Sequence, residues 1–119
     1  MELAVMDYPK GGEIYLVNFD PTIGHGIKKK RPALIISNNI HNQYSPMVTV
    51  APLSSNVEKI YSFEVHILKE MAGLNNNSKI MITQLRSIDK RRLLNRIGTI
   101  ENKEILNQVN RIIKEHFGL

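Results

Sequence analysis

The first stretch of the chain with a regular apolar pattern is Glu13-Ile14-Tyr15-Leu16-Val17-Asn18-Phe19, rich in β-branched and aromatic residues and cut off by Asp20-Pro21, a turn signal. It reads as a strand. Ala33–Ser37 and Val48–Leu53 are short, nearly continuous apolar runs, as expected of strands buried on both faces. The segment between them, Asn38 to Pro46, is rich in turn residues and reads as a loop. Phe63, Val65 and Ile67 alternate with Glu64 and His66, and after the Asn75-Asn76-Asn77 turn a further strand is expected over Lys79–Leu85. The period then changes. Ile105, Leu106, Val109, Ile112, Ile113 and Phe117 form a helical stripe, opposite Lys103, Asn107, Asn110 and Lys114, and Gly118 ends it. A shorter helix is expected over Asp89–Leu93, with Asp89 as N-cap. Five strands followed by one amphipathic helix predict an α+β fold, mainly β: a small barrel lidded by a C-terminal helix.

Length and composition narrow the function classes. A chain of 119 residues buries roughly 65% of the surface of its unfolded form, enough for one core and too little for two independent domains. Residues 1–11 read as a loose leader and 12–119 as a single domain. With no cysteine there is no disulfide scaffold, thiol nucleophile or Cys-ligated metal, which agrees with a reducing cytoplasm. Apolar runs such as Pro32–Ile36 are far shorter than the ~20 residues that cross a bilayer, so no membrane association is expected. The N-terminal residues lack the pattern of a secretory signal. A formal net charge of +5 suits a polyanionic partner, although charge alone is weak evidence for one.

Charge placement is more informative. Lys28-Lys29-Lys30-Arg31 lies between the first two expected strands and ends at Pro32. An isolated run of this kind is ordinarily a solvated loop. Arg31, however, stands where loop meets strand, so its guanidinium can be held to fork onto phosphate oxygens while the lysines supply a diffuse field. Ser54-Ser55 ends the third strand and presents a hydroxyl at the barrel rim, or simply makes a turn. A second basic cluster follows in Gln84 to Leu93. The four histidines, His25, His41, His66 and His116, show no metal-ligand spacing. His66 reads as a surface residue and His116 as a helix cap, which leaves His25 and His41 as the candidate imidazole acid–bases. No metal or other cofactor is expected. No GxSxG, phosphate-binding or dinucleotide glycine motif occurs.

Taken together, four ordered blocks resemble the MazF/PemK-type toxins of bacterial type II toxin–antitoxin modules. They are Gly12-Glu13-Ile14-Tyr15-Leu16-Val17 with Asp20-Pro21-Thr22-x-Gly24; Lys30-Arg31-Pro32-Ala33-Leu34-Ile35-Ile36-Ser37-Asn38; Asn42-Gln43-Tyr44-Ser45-Pro46 with Val50-Ala51-Pro52-Leu53-Ser54; and Gln84-Leu85-Arg86-Ser87-Ile88-Asp89-Lys90-x-Arg92-Leu93. The resemblance implies an SH3-like barrel of the MazF/PemK/CcdB type, a homodimer with an RNA groove at its interface, and a cognate acidic antitoxin. It implies metal-independent endoribonuclease activity on single-stranded RNA, by attack of a ribose 2′-hydroxyl on the adjacent phosphate. The family's essential Arg falls on Arg31 and its essential Thr on Ser54, which keeps the hydroxyl. RNA contacts are implied at His25, Lys28, Lys29, Lys30, Thr83 and Gln84, with Tyr44 either stacking on a base or packing in the core. Two positions depart from the family: Gly26 and Thr83 stand where members carry an acid, so either another group accepts the proton, His25 being the candidate general base, or water and positioning in the groove suffice and catalysis is slow. The same fold also serves a CcdB-like gyrase poison or a member that only binds partners, so these alternatives stay open.

Overall fold

The computed structural model describes residues 7–19 and 30–119. Among these, seven strands form an antiparallel sheet: β1 (Glu13–Asn18), β2 (Lys30–Ile35), β3 (Met47–Ser54), β4 (Val65–Ile67), β5 (Ser78–Ile80), β6 (Arg86–Asp89) and β7 (Leu93–Thr99). The spatial order is β4-β5-β3-β2-β1-β7, with β6 also paired to β3. Helix α1 (Asn39–Tyr44) links β2 to β3, and helix α2 (Lys103–Phe117) follows β7. The α+β, mainly β class is as the sequence predicts.

The expected barrel is corrected to an open, curled sheet. Among the described residues no ladder joins the edge strands β4 and β7. Instead the curl is closed by backbone contact: a Cβ on Gly98 of β7 would fall on the Ala72 carbonyl oxygen, so only glycine fits there. β3 is long enough to change partners along its length. Its first half, Met47–Val50, pairs with β6, while Leu53 and Ser54 pair with β5. The change falls at Pro52, whose carbonyl accepts from the Met81 amide at 2.8 Å as the chain enters a 3-10 turn at Ile82–Gln84.

Two apolar clusters fill the two faces. Ile14, Leu34, Ala51, Leu53, Val65, Ile67 and Ile80 pack beneath Ile105, Val109 and Ile112 of α2. Val17, Phe19, Ala33, Ile35, Val48, Val50 and Ile88 form the second cluster. Residues 33, 34 and 35 alternate between the two, as the two-residue period of a strand requires. α2 follows the predicted stripe. Asn102 caps it by accepting from the Ile105 amide at 3.0 Å, and Gly118 ends it with φ of 71°. His116 is not the cap: the orphan carbonyls of Lys114 and Glu115 accept from the amides of Leu119 and Gly118 instead.

Other elements differ from expectation. The segment read as a loop contains α1, capped by Asn38 through the His41 amide and anchored by Asn42, which is fully buried and donates to the Ser37 carbonyl at 2.8 Å. Its exposed face carries Ile40 and Tyr44, the latter 74% exposed and so not core. The strand expected over Lys79–Leu85 is β5 followed by the 3-10 turn. The short helix expected at Asp89–Leu93 is a 3-10 turn over Lys90–Arg92, capped by Asp89 as predicted. Asp89 also holds Arg91 at 3.0 Å through both carboxylate oxygens, and these hydrogen bonds lower its pKa to about 2.

Candidate active site

Because β2 and β3 run antiparallel, the start of one and the end of the other lie at the same edge of the sheet. Their register pairs Ala33 with Pro52, Leu34 with Ala51 and Ile35 with Val50. The ladder ends at the Ala33–Pro52 pair, and beyond it Arg31 and Ser54 stand at the ends of the two strands at the same edge of the sheet. Both line one open cavity of about 770 Å³, together with Lys30, Ser55, Asn75, Asn76, Asn95 and Arg96. Leu16, Pro32 and Leu53 also line it, and among the described residues no carboxylate does.

The two central groups are differently prepared. Arg31 is half-buried, and among the described residues its guanidinium has no hydrogen-bond or ion-pair partner. Five N–H donors are therefore available to an anion. Ser54 Oγ accepts from the Asn56 amide at 3.1 Å, which orients the oxygen and leaves its own proton free to donate. Arg96 is tethered instead. Its Nη1 donates to Glu13 Oε2 at 2.9 Å, while Glu13 Oε1 accepts from the Lys10 amide at 2.8 Å and the Tyr15 hydroxyl at 3.3 Å. Burial, and then the neighbouring Glu13 carboxylate, push the Tyr15 phenol up to about 12. Glu13 is 5% exposed and fully engaged, so it is fitted to fix Arg96 rather than to accept a proton from a substrate.

The structure thus brings Arg31, Ser54 and Lys30 together. It does not bring Thr83 to them: Thr83 lines a separate cavity of about 390 Å³ with Phe63, Ile112, Glu115 and His116. Gln84 is exposed on the neighbouring turn. His25, Lys28 and Lys29 lie outside the described residues. His41 is exposed on α1 and is not part of the Arg31 cavity, and His66 is exposed on β4 as expected. Among the described residues no group of three or more His, Asp or Glu is arranged to hold a metal. Sequence reasoning missed Asn95 and Arg96, because β7 carries no apolar alternation to reveal it. An unpaired guanidinium and a donor hydroxyl in one cavity suit a phosphodiester. Both donate toward anionic oxygen, and their stabilisation grows as charge accumulates on phosphorus-bound oxygens.

The family model for PemK-like, MazF-like toxins of type II toxin–antitoxin systems matches residues 10–117. Endoribonuclease MazF9 of Mycobacterium tuberculosis is 35% identical over 113 residues, covering 91% of this chain and 95% of that protein. The fold is shared with the crystal structure of MazF from Deinococcus radiodurans, at a TM-score of 0.79 and 24% identity, over 95% of this chain and 99% of that one. A MazE-MazF crystal structure from the same organism matches at a TM-score of 0.77 and 25% identity, over 93% of this chain and 97% of that one. The chain therefore belongs to the PemK-like, MazF-like toxin family of type II toxin–antitoxin systems, among whose members the curated relatives matched here are endoribonucleases.

Proposed function

We propose that this protein cleaves single-stranded RNA at the Arg31–Ser54 cavity without a metal, giving a 2′,3′-cyclic phosphate or its opened 3′-phosphate and a 5′-hydroxyl. In this reaction the 2′-oxygen bonds to phosphorus, the bond to the 5′-oxygen breaks, and one proton leaves the nucleophile while another reaches the leaving group. The observation that carries the proposal is the meeting, in one cavity, of half-buried Arg31, whose guanidinium has no partner among the described residues, with the donor hydroxyl of Ser54. Arg31 neutralises the pentacoordinate phosphate and Ser54 donates to one of its oxygens. His25 is the candidate proton acceptor from its place in the sequence. Lys28, Lys29 and Lys30 add field along the RNA, and Thr83 and Gln84 are proposed to contact RNA away from the Arg31 cavity, across a homodimer groove.

The same reading gives the protein a cytoplasmic role as the toxin of a toxin–antitoxin pair, reducing translation and growth by cutting mRNA. Its partner is an acidic antitoxin drawn to the +5 chain. Support comes from the family assignment and from the MazE-MazF structure described above. The CcdB-like alternative is not favoured, because the curated relatives are named endoribonucleases. Incubation of the protein with a mixed-sequence RNA in EDTA tests the proposal. Fragments bearing 5′-hydroxyl ends are expected, and an uncut RNA refutes it.

A further inference from the structure

We propose that Lys79, clasped by Glu64, is a positioning residue for the reaction: it fixes the segment that follows Ser54, and with it the direction of the Ser54 hydroxyl. This role rests on the ribonuclease reading above. The register of β3 with β5 sets Lys79 directly across from Ser54. Segment 55–64 joins β3 to β4 without forming helix or strand. Lys79 Nζ holds it at two points, donating to the Lys59 carbonyl at 2.8 Å and pairing with Glu64 Oε1 at 3.2 Å. The same Glu64 oxygen accepts from the Tyr61 amide at 3.0 Å. From Lys59 the links run back to the serine. The adjoining Glu58 amide donates to Asn56 Oδ1 at 3.2 Å, and the Asn56 amide donates to Ser54 Oγ at 3.1 Å. Strand pairing between Ser54 and Lys79 closes the ring.

A serine hydroxyl turns about χ1 without the restraint of a β-branch, so its aim depends on what holds it. Here the hold is the amide of Asn56, an exposed residue in a segment largely open to water. An amide so placed is fixed only as well as the segment that carries it. Lys79 and Glu64 supply the anchor. Their side chains are 12% and 6% exposed, so the pair is withdrawn from the solvent and salt that weaken surface ion pairs. Lys79 is absent from the described residues that line the cavity, and its charge is balanced by Glu64, so it acts through Ser54 rather than on RNA. A displacement of about 1 Å at a reacting site costs on the order of 100-fold in rate, so even a modest slackening of the ring is measurable.

The test is single-turnover cleavage of a short RNA in EDTA by the full chain and by its Lys79→Met/Glu64→Gln variant, which removes the clasp without changing net charge or stranding a buried ion. The rate at saturating protein should fall by about tenfold. The protein concentration at half-saturation should stay within about twofold, because the charge that RNA meets is unchanged. In a Ser54→Ala background the same pair of changes should cost nothing further, since no hydroxyl is left to aim. A loss of equal size with and without the Ser54 hydroxyl marks a structural role and overturns the proposal. A pair variant that cleaves at the wild-type rate, or that loses affinity alone, overturns it as well. A wild type that leaves RNA uncut sinks the ribonuclease reading itself, whereas those outcomes in an active enzyme sink only the positioning role. Should the pair variant not fold, Asn56→Ala cuts the same ring at an exposed position. A loss of rate that vanishes in the Ser54→Ala background then supports the proposal, and an undiminished rate, or a loss that persists in that background, overturns it.

Discussion

Replacing Arg31 separates the chemical role of this side chain from any structural one. Arg31 is half-buried and its guanidinium has no partner among the described residues, so its removal breaks no ion pair and orphans no buried group there. Arg31→Ala should therefore change folding stability by about 1 kcal/mol at most, mostly through the packing of its aliphatic stem. The same change removes a preorganised donor from the charge that develops on the phosphate, an effect worth roughly 2.7–4 kcal/mol, or a 10²–10³-fold fall in rate. Arg31→Lys keeps the charge but loses the planar fork, and should fall between the two. Single-turnover cleavage of a short RNA in EDTA reads the rate, and thermal unfolding of the same samples reads the stability. Undiminished cleavage by Arg31→Ala refutes the argument. A rate loss matched by an equally large loss of stability would show Arg31 to be structural instead.

Further expectations concern the hydroxyl, the fold and the solution conditions. Ser54→Ala should slow single-turnover cleavage by roughly an order of magnitude or more, because the remaining methyl cannot donate, while Ser54→Thr should stay active with a stiffer χ1. Gly98→Ala should destabilise the protein by about 1–3 kcal/mol in urea unfolding, because the added methyl meets the Ala72 carbonyl backbone; unchanged stability would mean that the curl of the sheet does not close there. The Tyr15 phenol binds its proton more tightly in the folded state, so its contribution is intact below about pH 10 and lost as pH rises toward about 12. Unfolding midpoints of Tyr15→Phe should decline less than those of the wild type across that window. Lys30 and Arg31, both without internal partners among the described residues, give RNA affinity a slope of about −1.4 or steeper in log Kd-based affinity against log salt; a flat plot contradicts phosphate contact.

The parts of this fold that were legible in the sequence are those where burial imposes a period. The α2 stripe of Ile105, Val109 and Ile112 is one, and the apolar runs of β2 and β3 are another. β7 escaped because it is an edge strand: Leu94, Asn95 and Arg96 are all exposed, so nothing in its pattern separates it from a loop. Helix α1 escaped for a different reason, since its anchor is polar. Asn42 replaces an apolar residue as the buried contact and is satisfied by Ser37. At the site, Arg31 and Ser54 were legible because strand ends announce themselves through Pro32 and the Ser-Ser pair. Their proximity depends on how the strands pair, and Asn95 and Arg96 reach the cavity through the pairing of β7 with β1, which local sequence does not encode.

The central claim is that Arg31 and Ser54 act on the same phosphodiester, and a double-mutant cycle in single-turnover cleavage tests it most directly. The account predicts non-additive losses for Arg31→Ala and Ser54→Ala, with a coupling of about 1 kcal/mol or more, so that the double variant is clearly faster than the product of the two separate effects implies. Losses that multiply within error would contradict it, placing the two side chains on separate tasks.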